Sequence, residues 1–297
     1  MGERAASSTA ILVCQGRATA DGRYAVGRFT DHVARHLLDP DELTIVDDVR
    51  DGRVPASRSQ RLSYELVRWT GVGMVPRTIA IDDAVRAHAA PQVVILGAGL
   101  DARAWRMPEL DSATVFEVDH PASSRDKQRR LAGREPLAAH VVTVAVDLVT
   151  DPLGPALEAA TFDPDVETTW IWEGVVPYLT AAQVGETVAQ VAGLSAPGSQ
   201  LLVAYQTRSW RSASGRWVMR VVLAAARQHN PMAREPWRSL WRPEAMRALL
   251  ADHGLAVHSD HDLLELSTGL DLPTANPESL RTGRVAVATK QGETQSK

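Results

Sequence analysis

At 297 residues, 44% hydrophobic and 23% charged, the chain has the composition of an ordinary soluble globular protein with a sizeable core. A net charge of −4 argues against nucleic acid or an anionic membrane surface as a partner. The lone Cys14 rules out a disulfide framework and a cysteine metal cluster, and no apolar run reaches the ~18 residues a membrane helix needs. With no secretory leader and no metal-ligand spacing such as H-E-x-x-H, a cytoplasmic, metal-free enzyme is expected.

In chain order, residues 7–90 read as helical. Phe29, Val33 and Leu37 share one helical face, as do Leu62, Leu66 and Trp69. Residues 39–57, rich in Asp, Pro and Gly, read as a loop. Pro76 suits the first turn of a further helix bearing Ile81, Ala84, Val85 and His88. From Pro91 the pattern alternates, with strands near 92–96, 114–118, 140–146, 168–173 and 199–205, and later 255–259 and 284–289. Thr180 and Gln183 have capping-box spacing ahead of an apolar stripe of Val184, Val188, Val191 and Leu194. This is α/β patterning. It predicts a doubly wound, parallel, Rossmann-like sheet over 91–297, preceded by a helical extension over 1–90 that caps the ligand site. Segment 206–242 holds Trp210, Trp217, Trp237 and Trp241, half of the eight tryptophans. It is expected to form a helical lid or substrate wall after the fifth strand, the alternative being a helix that packs its tryptophans into the core.

The densest signal is Val93–Asp101, a buried strand feeding a turn with Gly97 and Gly99. The spacing of Gly97, Gly99 and Ala102 also satisfies a loose dinucleotide fingerprint, in which Glu117 would bind ribose. Asp101 counts against that reading. It sits at the start of the next helix, where a pyrophosphate needs bare N–H groups, and suits a ligand carrying an ammonium, such as S-adenosylmethionine. Three more polar positions fall where strands should stop. Glu117 and Asp119 lie on one side of the second strand, and either acid can accept from ribose hydroxyls. Asp147 can take an adenine amino group while Leu148 packs on the ring. Glu173, set among aromatic residues, must meet a cation: a ligand ammonium or one of the many arginines.

The segments Val94–Arg106, Phe116–Pro121, Asp147-Leu148 and Trp172–Leu179, with Gln15–Ala18 and Met74–Asp83 upstream, resemble the leucine carboxyl methyltransferase family over roughly residues 10–205. The likeness is to its bacterial small-molecule branch, which includes polyketide carboxyl methyltransferases. The resemblance implies a methyltransferase sheet binding S-adenosylmethionine. It implies Arg77 on the methionine carboxylate, Gly97 and Gly99 along the methionine portion, Asp119 on the ribose, Asp147 and Leu148 on the adenine, and Glu173 on the methionine amino group. Arg17 is a second candidate for a carboxylate of cofactor or acceptor, and Tyr178 matches a position near the transferring methyl.

A carboxylate acceptor on a small molecule, ionised at neutral pH, would need no general base. A phenol with a pKa of about 10 would use one, and His229 in the tryptophan-rich segment is the candidate, with His120 placed for structure or cofactor contact. Carboxyl O-methylation of a specialised metabolite is the favoured expectation. Hydroxyl methylation, a nicotinamide-dependent oxidoreductase and a non-catalytic binding module are the alternatives.

Overall fold

Alternate side chains of a strand face opposite sides, and the first strand, β1 (Gln92–Leu96), spends both: Val93 and Ile95 enter one core, Val94 and Leu96 another. The same division holds in β4 (Thr168–Trp172), where Ile171 opposes Trp170 and Trp172, and in β5 (Gln200–Gln206), where Leu202 opposes Leu201 and Val203. Strands covered on both faces read as continuous apolar runs, which is why these were visible in the sequence. The structure, a computed structural model, describes residues 7–207, 237–273 and 277–292. Among them β2 (Thr114–Asp119), β3 (His140–Ala145), β6 (Leu255–Asp262) and β7 (Gly283–Lys290) complete a sheet of order β3-β2-β1-β4-β5-β7-β6.

Strands β1 to β5 pair in parallel, whereas β7 runs antiparallel to both β5 and β6. The expectation of a wholly parallel sheet is corrected at that strand. Between β6 and β7 the described residues form two four-residue helical turns, Leu263–Leu266 and Pro277–Leu280, and among them no crossover helix carries the chain back to the starting end. The strand order reverses between β1 and β4, which opens a crevice at the carboxyl ends of the central strands.

One face of the sheet is covered by α1 (Ser8–Ala20) and α3 (Arg58–His88), whose Cys14, Ala18, Ile81 and Val85 share a core with Val93 and Ile95. Helices from the first ninety residues thus share that core with the sheet and with Trp105, Leu263 and Leu280, so a boundary at residue 90 runs through one core. The other face is covered by α6 (Leu153–Ala159), α7 (Ala181–Gly193) and α8 (Pro243–Asp252). Helix α7 begins with the expected capping box: Gln183 N–H donates to Thr180 Oγ1 at 3.3 Å and Thr180 N–H to Gln183 Oε1 at 2.9 Å.

Four helical expectations are corrected. Phe29, Val33 and Leu37 are all buried, but they share no helix: Phe29 lies in irregular chain and Val33 in a turn, and Leu37 ends the single helical turn Ala34–Leu37. Residues 40–51 form α2 (Pro40–Asp51), because Pro40 at its first turn and Glu42, which accepts from Asp39 N–H at 2.9 Å, start a helix that the Asp-rich composition disguised. Pro76 lies inside the 31-residue α3, where burial of Val72, Val75, Ile79 and Ile81 outweighs the lost backbone bond. Trp69 is 41% exposed, and Tyr64 and Val67 face inward instead. Helices α1 and α3 cross at Gly16 and Gly71. A Cβ on Gly71 would stand 3.0 Å from Gly16 O, so the backbones touch and Arg17 is brought up to the crevice. No helix among the described residues is long and apolar enough to cross a membrane.

Candidate active site

A cavity of about 300 Å³ opens at the carboxyl ends of β1, β2 and β4, with α1 along its rim. Its floor is the glycine turn. Gly97 has φ +67° and its N–H donates to Val118 O at 2.7 Å, so the turn is tied to the end of β2. A Cβ on Gly97 would overlap Val175 Cγ2, so backbone sign and space both require glycine. Gly99, at φ +46°, donates its N–H to Asp119 Oδ2 at 2.5 Å, and His120 N–H donates to Asp119 Oδ1 at 2.6 Å. Each oxygen of Asp119 keeps a lone pair for a hydroxyl. Burial pushes the Asp119 carboxyl above its usual range, against those two backbone bonds. His120 caps α5 (Pro121–Leu131), its Nδ1 accepting from Ala122 N–H at 3.2 Å.

The opposite wall is a buried network of charge. Glu173, one residue past β4, places Oε1 2.7 Å from Arg77 Nε and Oε2 2.8 Å from Arg103 Nη2. Burial opposes its ionisation, but the two guanidiniums prevail and hold the carboxyl down at about 2. Asp101 accepts from Arg103 N–H at 2.7 Å and pairs with the Arg103 guanidinium. Burial again works against the charge, and Arg103 and Arg17 keep the carboxyl below its usual range. Arg17 lies 3.2 Å from Asp31 and donates to Leu100 O. Asp82 on α3 takes Arg103 Nε at 2.8 Å and Arg106 Nη1 at 2.7 Å. Asp31, Asp82, Asp101 and Glu173 are thereby matched by Arg17, Arg77, Arg103 and Arg106. The wall is neutral as a unit.

Of the residues singled out in the sequence, Arg17, Arg77, Gly97, Gly99, Asp101, Asp119, Asp147, Leu148, Glu173 and Tyr178 all line this one cavity. Asp147 also has a turn-forming job, its Oδ1 accepting from Val149 N–H at 2.9 Å. Tyr178 closes a single helical turn, Val176–Tyr178, that follows Gly174. Glu117 does not line it. It shares a side with Asp119 as alternation requires, but it lies two residues deeper, beneath α5. There Lys127 binds it at 2.6 Å and Lys127 in turn sits over the Trp105 ring, all lining a second cavity of about 250 Å³ that adjoins the first at Gly99 and Asp119.

His229, Trp210 and Trp217 lie outside the described residues. Trp241 packs on the second core and donates Nε1 to Ser239 Oγ at 3.2 Å, which makes it a core residue. The stretch around it is pinned beside the cavity, since Arg238 N–H donates to Pro177 O at 2.6 Å and Ser239 Oγ to Val176 O at 3.0 Å. Arg103, Arg106, Asp31 and Asp82 escaped the sequence reading. Their signal was present for three of them: charges set against apolar runs, as in Ile79-Ala80-Ile81-Asp82 and Ala102-Arg103-Ala104-Trp105-Arg106.

The family model for leucine carboxyl methyltransferases matches residues 10–192. A Mycolicibacterium vanbaalenii protein, provisionally named an S-adenosyl-L-methionine-dependent methyltransferase, is 35% identical over 203 residues, 67% of this chain and 66% of that one. A protein of the same provisional name from Mycobacterium sp. (strain JLS) is 42% identical over 130 residues, 43% of each chain. The matched stretch thus spans between about half and two thirds of these relatives' own lengths. Among solved structures, a provisionally named methyltransferase from Thermobifida fusca aligns with TM-score 0.57 and 15% identity over 97% of this chain and 96% of that one. A DUF574-family protein from Streptomyces avermitilis aligns with TM-score 0.58 and 15% identity over 96% and 98%. These two carry the fold alone. With the family model spanning well over half its length, the chain belongs to the leucine carboxyl methyltransferase family, a class I group that uses S-adenosylmethionine.

Proposed function

We propose that this chain transfers a methyl group from S-adenosylmethionine to an oxygen of a small molecule, most favourably a carboxylate of a specialised, polyketide-like metabolite. The observation that carries the reading is the Arg77–Glu173 pair opening onto the same cavity as Asp119. A guanidinium and a carboxylate side by side complement the ammonium and carboxylate of an amino acid, each ligand charge finding its opposite. Asp119 offers acceptors for a ribose on the same cavity, and Asp147 with Leu148 offers a turn and an apolar surface for a base. The residues present fit the group. The Asp-bearing turn also argues against a dinucleotide: the Gly99 and Arg103 N–H groups are already taken by Asp119 and Asp101, and α4 (Arg103–Arg106) is a single turn with little dipole to offer a pyrophosphate.

S-adenosylmethionine, when bound, supplies a methyl carbon on a positively charged sulfur. Arg77 and Glu173 would fix its amino-acid end, Asp119 its sugar and Leu148 its base. The chain's remaining task is alignment of an acceptor oxygen, a contribution worth up to ~7–11 kcal/mol where geometry is well held. Val175, Tyr178 and Leu179 line the cavity wall beyond the glycine turn and would exclude water there. A carboxylate acceptor, ionised at neutral pH, asks for no base, and none is needed from these side chains.

The test uses adenosylhomocysteine and NAD in thermal melts of the full chain, followed by transfer of labelled methyl to panels of carboxylic acids and phenols. Adenosylhomocysteine should raise the melting temperature and NAD should not. The labelled product should release methanol in mild alkali, as an ester does. An alkali-stable product would move the assignment to hydroxyl methylation, and stabilisation by NAD alone would overturn the methyl-donor reading.

A further inference from the structure

Arg103 holds three carboxylates from three parts of the fold yet does not line the cavity. It follows the glycine turn, is 1% exposed, and sets each nitrogen of its guanidinium against a different acid: Nε and Nη1 donate to Asp82, at 2.8 Å, and to Asp101, while Nη2 stands 2.8 Å from Glu173 Oε2 as a close ion pair. Two of those acids, Asp101 and Glu173, face the cavity, while the third belongs to α3 and is held again by Arg106 through two bonds of 2.7 and 2.9 Å. The two oxygens of Glu173 therefore have unequal partners. Oε1 is held by Arg77, which itself lines the cavity, and Oε2 by Arg103, which is locked behind it.

We infer that Arg103 is the positioning residue for the amino-acid end of the cofactor, keeping Glu173 in place while Arg77 changes partner. The inference rests on the cofactor reading above and deepens it. An amino acid entering the Arg77–Glu173 pair must replace one ion pair by two: its carboxylate takes the Arg77 guanidinium and its ammonium takes Glu173 Oε1. During that exchange Glu173 loses its Arg77 bond. Without a second anchor it would be a buried carboxylate with free torsions, and the ligand's ammonium would have to order it as well as bind it. Oε2 stays fixed because Arg103 is itself fixed on Asp82. The charge ledger is unchanged by the exchange, since a zwitterion adds one charge of each sign to a wall that is already neutral. A ligand bearing only the nucleoside end makes no demand on this device.

Only a planar, three-pronged cation serves here, because lysine presents a single point charge and cannot span Asp82, Asp101 and Glu173 together. The experiment compares wild type, Arg103→Lys and Arg103→Met by titration calorimetry with two probes. Adenosylhomocysteine carries the amino-acid end, and 5′-methylthioadenosine has the same nucleoside without it. Wild type should bind both. Arg103→Lys keeps the charge, and its fold is checked by circular dichroism; it should weaken adenosylhomocysteine by about tenfold or more, the scale of one contact to a charged group, and methylthioadenosine by less than about twofold. In turnover the KM for the methyl donor should rise further than kcat falls. Should Arg103→Met fail to fold, the Lys variant alone decides. Equal loss of both probes, or loss of neither, overturns the positioning role while leaving the cofactor reading intact. A wild-type chain that binds neither probe overturns both.

Discussion

Two buried glutamates, Glu173 just past β4 and Glu117 within β2, flank β1 with side chains 10% and 7% exposed, and their carboxyls shift in opposite directions. Glu173 is held down at about 2, while burial pushes Glu117 above its ordinary value. Desolvation is the leading cause at both sites, so the partners decide the outcome. Glu173 has two guanidiniums, one on each oxygen. Glu117 has one ammonium on one oxygen, with Asp101 and Asp119 adding repulsion. Burial alone therefore says nothing about whether an acid is poised as an anion. The count and geometry of its cations do, and the cavity with the doubly held acid is the one that Arg77 also lines.

The largest effect should come from breaking the network that holds Glu173 at its far end. Asp82→Asn removes the charge that pairs with both Arg103 and Arg106, and leaving buried guanidiniums short of a partner costs about 3–5 kcal/mol. Equilibrium urea denaturation reads this directly, and a loss under about 1 kcal/mol, the range of surface pairs, would show that the network holds no stability.

A slightly smaller effect belongs to pH. Because the Glu173 carboxyl falls from its ordinary 4.5 to about 2 in the fold, its ionised form stabilises the protein above pH 4.5, and that contribution is lost as the pH falls through about 2. The span corresponds to stability on the order of 3 kcal/mol. Glu117 has the reverse sign: a raised carboxyl contributes below the unfolded value and loses that contribution as pH rises through the folded one. Stability measured from pH 5 to pH 2 should fall in wild type and be flatter in Glu173→Gln. Identical slopes in the two proteins would remove Glu173 from the list of acids that matter to folding.

Next in size is the ligand itself. Arg77→Ala should weaken adenosylhomocysteine binding by about 1.5–3 kcal/mol, the range for hydrogen bonds to charged groups, as measured by calorimetry. Wild-type affinity in that variant would place the ligand's carboxylate elsewhere, Arg17 being the other arginine that lines the cavity.

The difference between the two glutamates also marks how far the sequence could be read. The strands were legible because β1, β4 and β5 are covered on both faces and so run apolar, and the glycine turn because its positive φ values leave little alternative. The strand-end acids were legible as a set, since alternation and order fix which residues reach the crevice. Partner choice was not. Alternation puts Glu117 and Asp119 on the same side, and nothing local tells that Lys127, on the helix after the strand, swings back beneath one of them. Nor does local pattern disclose that Glu173 meets Arg77 and Arg103 from positions 96 and 70 residues upstream. Helix α2 was hidden for a different reason: its Asp residues mimic loop composition, and its start is declared by the placing of Pro40 and Glu42.

The smallest effect is the most discriminating. Replacing Glu117 and Lys127 together, as Glu117→Gln with Lys127→Met, removes both members of a buried pair instead of stranding one. Such replacements are commonly neutral or stabilising, so the change in stability should stay within about 1 kcal/mol or be a gain. Neither residue lines the cavity that Asp119 shares with Arg77 and Glu173, so adenosylhomocysteine affinity should be unchanged. Asp119→Ala, by contrast, should weaken that affinity while the fold survives. If the double replacement lowers affinity and Asp119→Ala does not, the ribose acid is Glu117, and a lone ammonium suffices to poise an anion at this strand end.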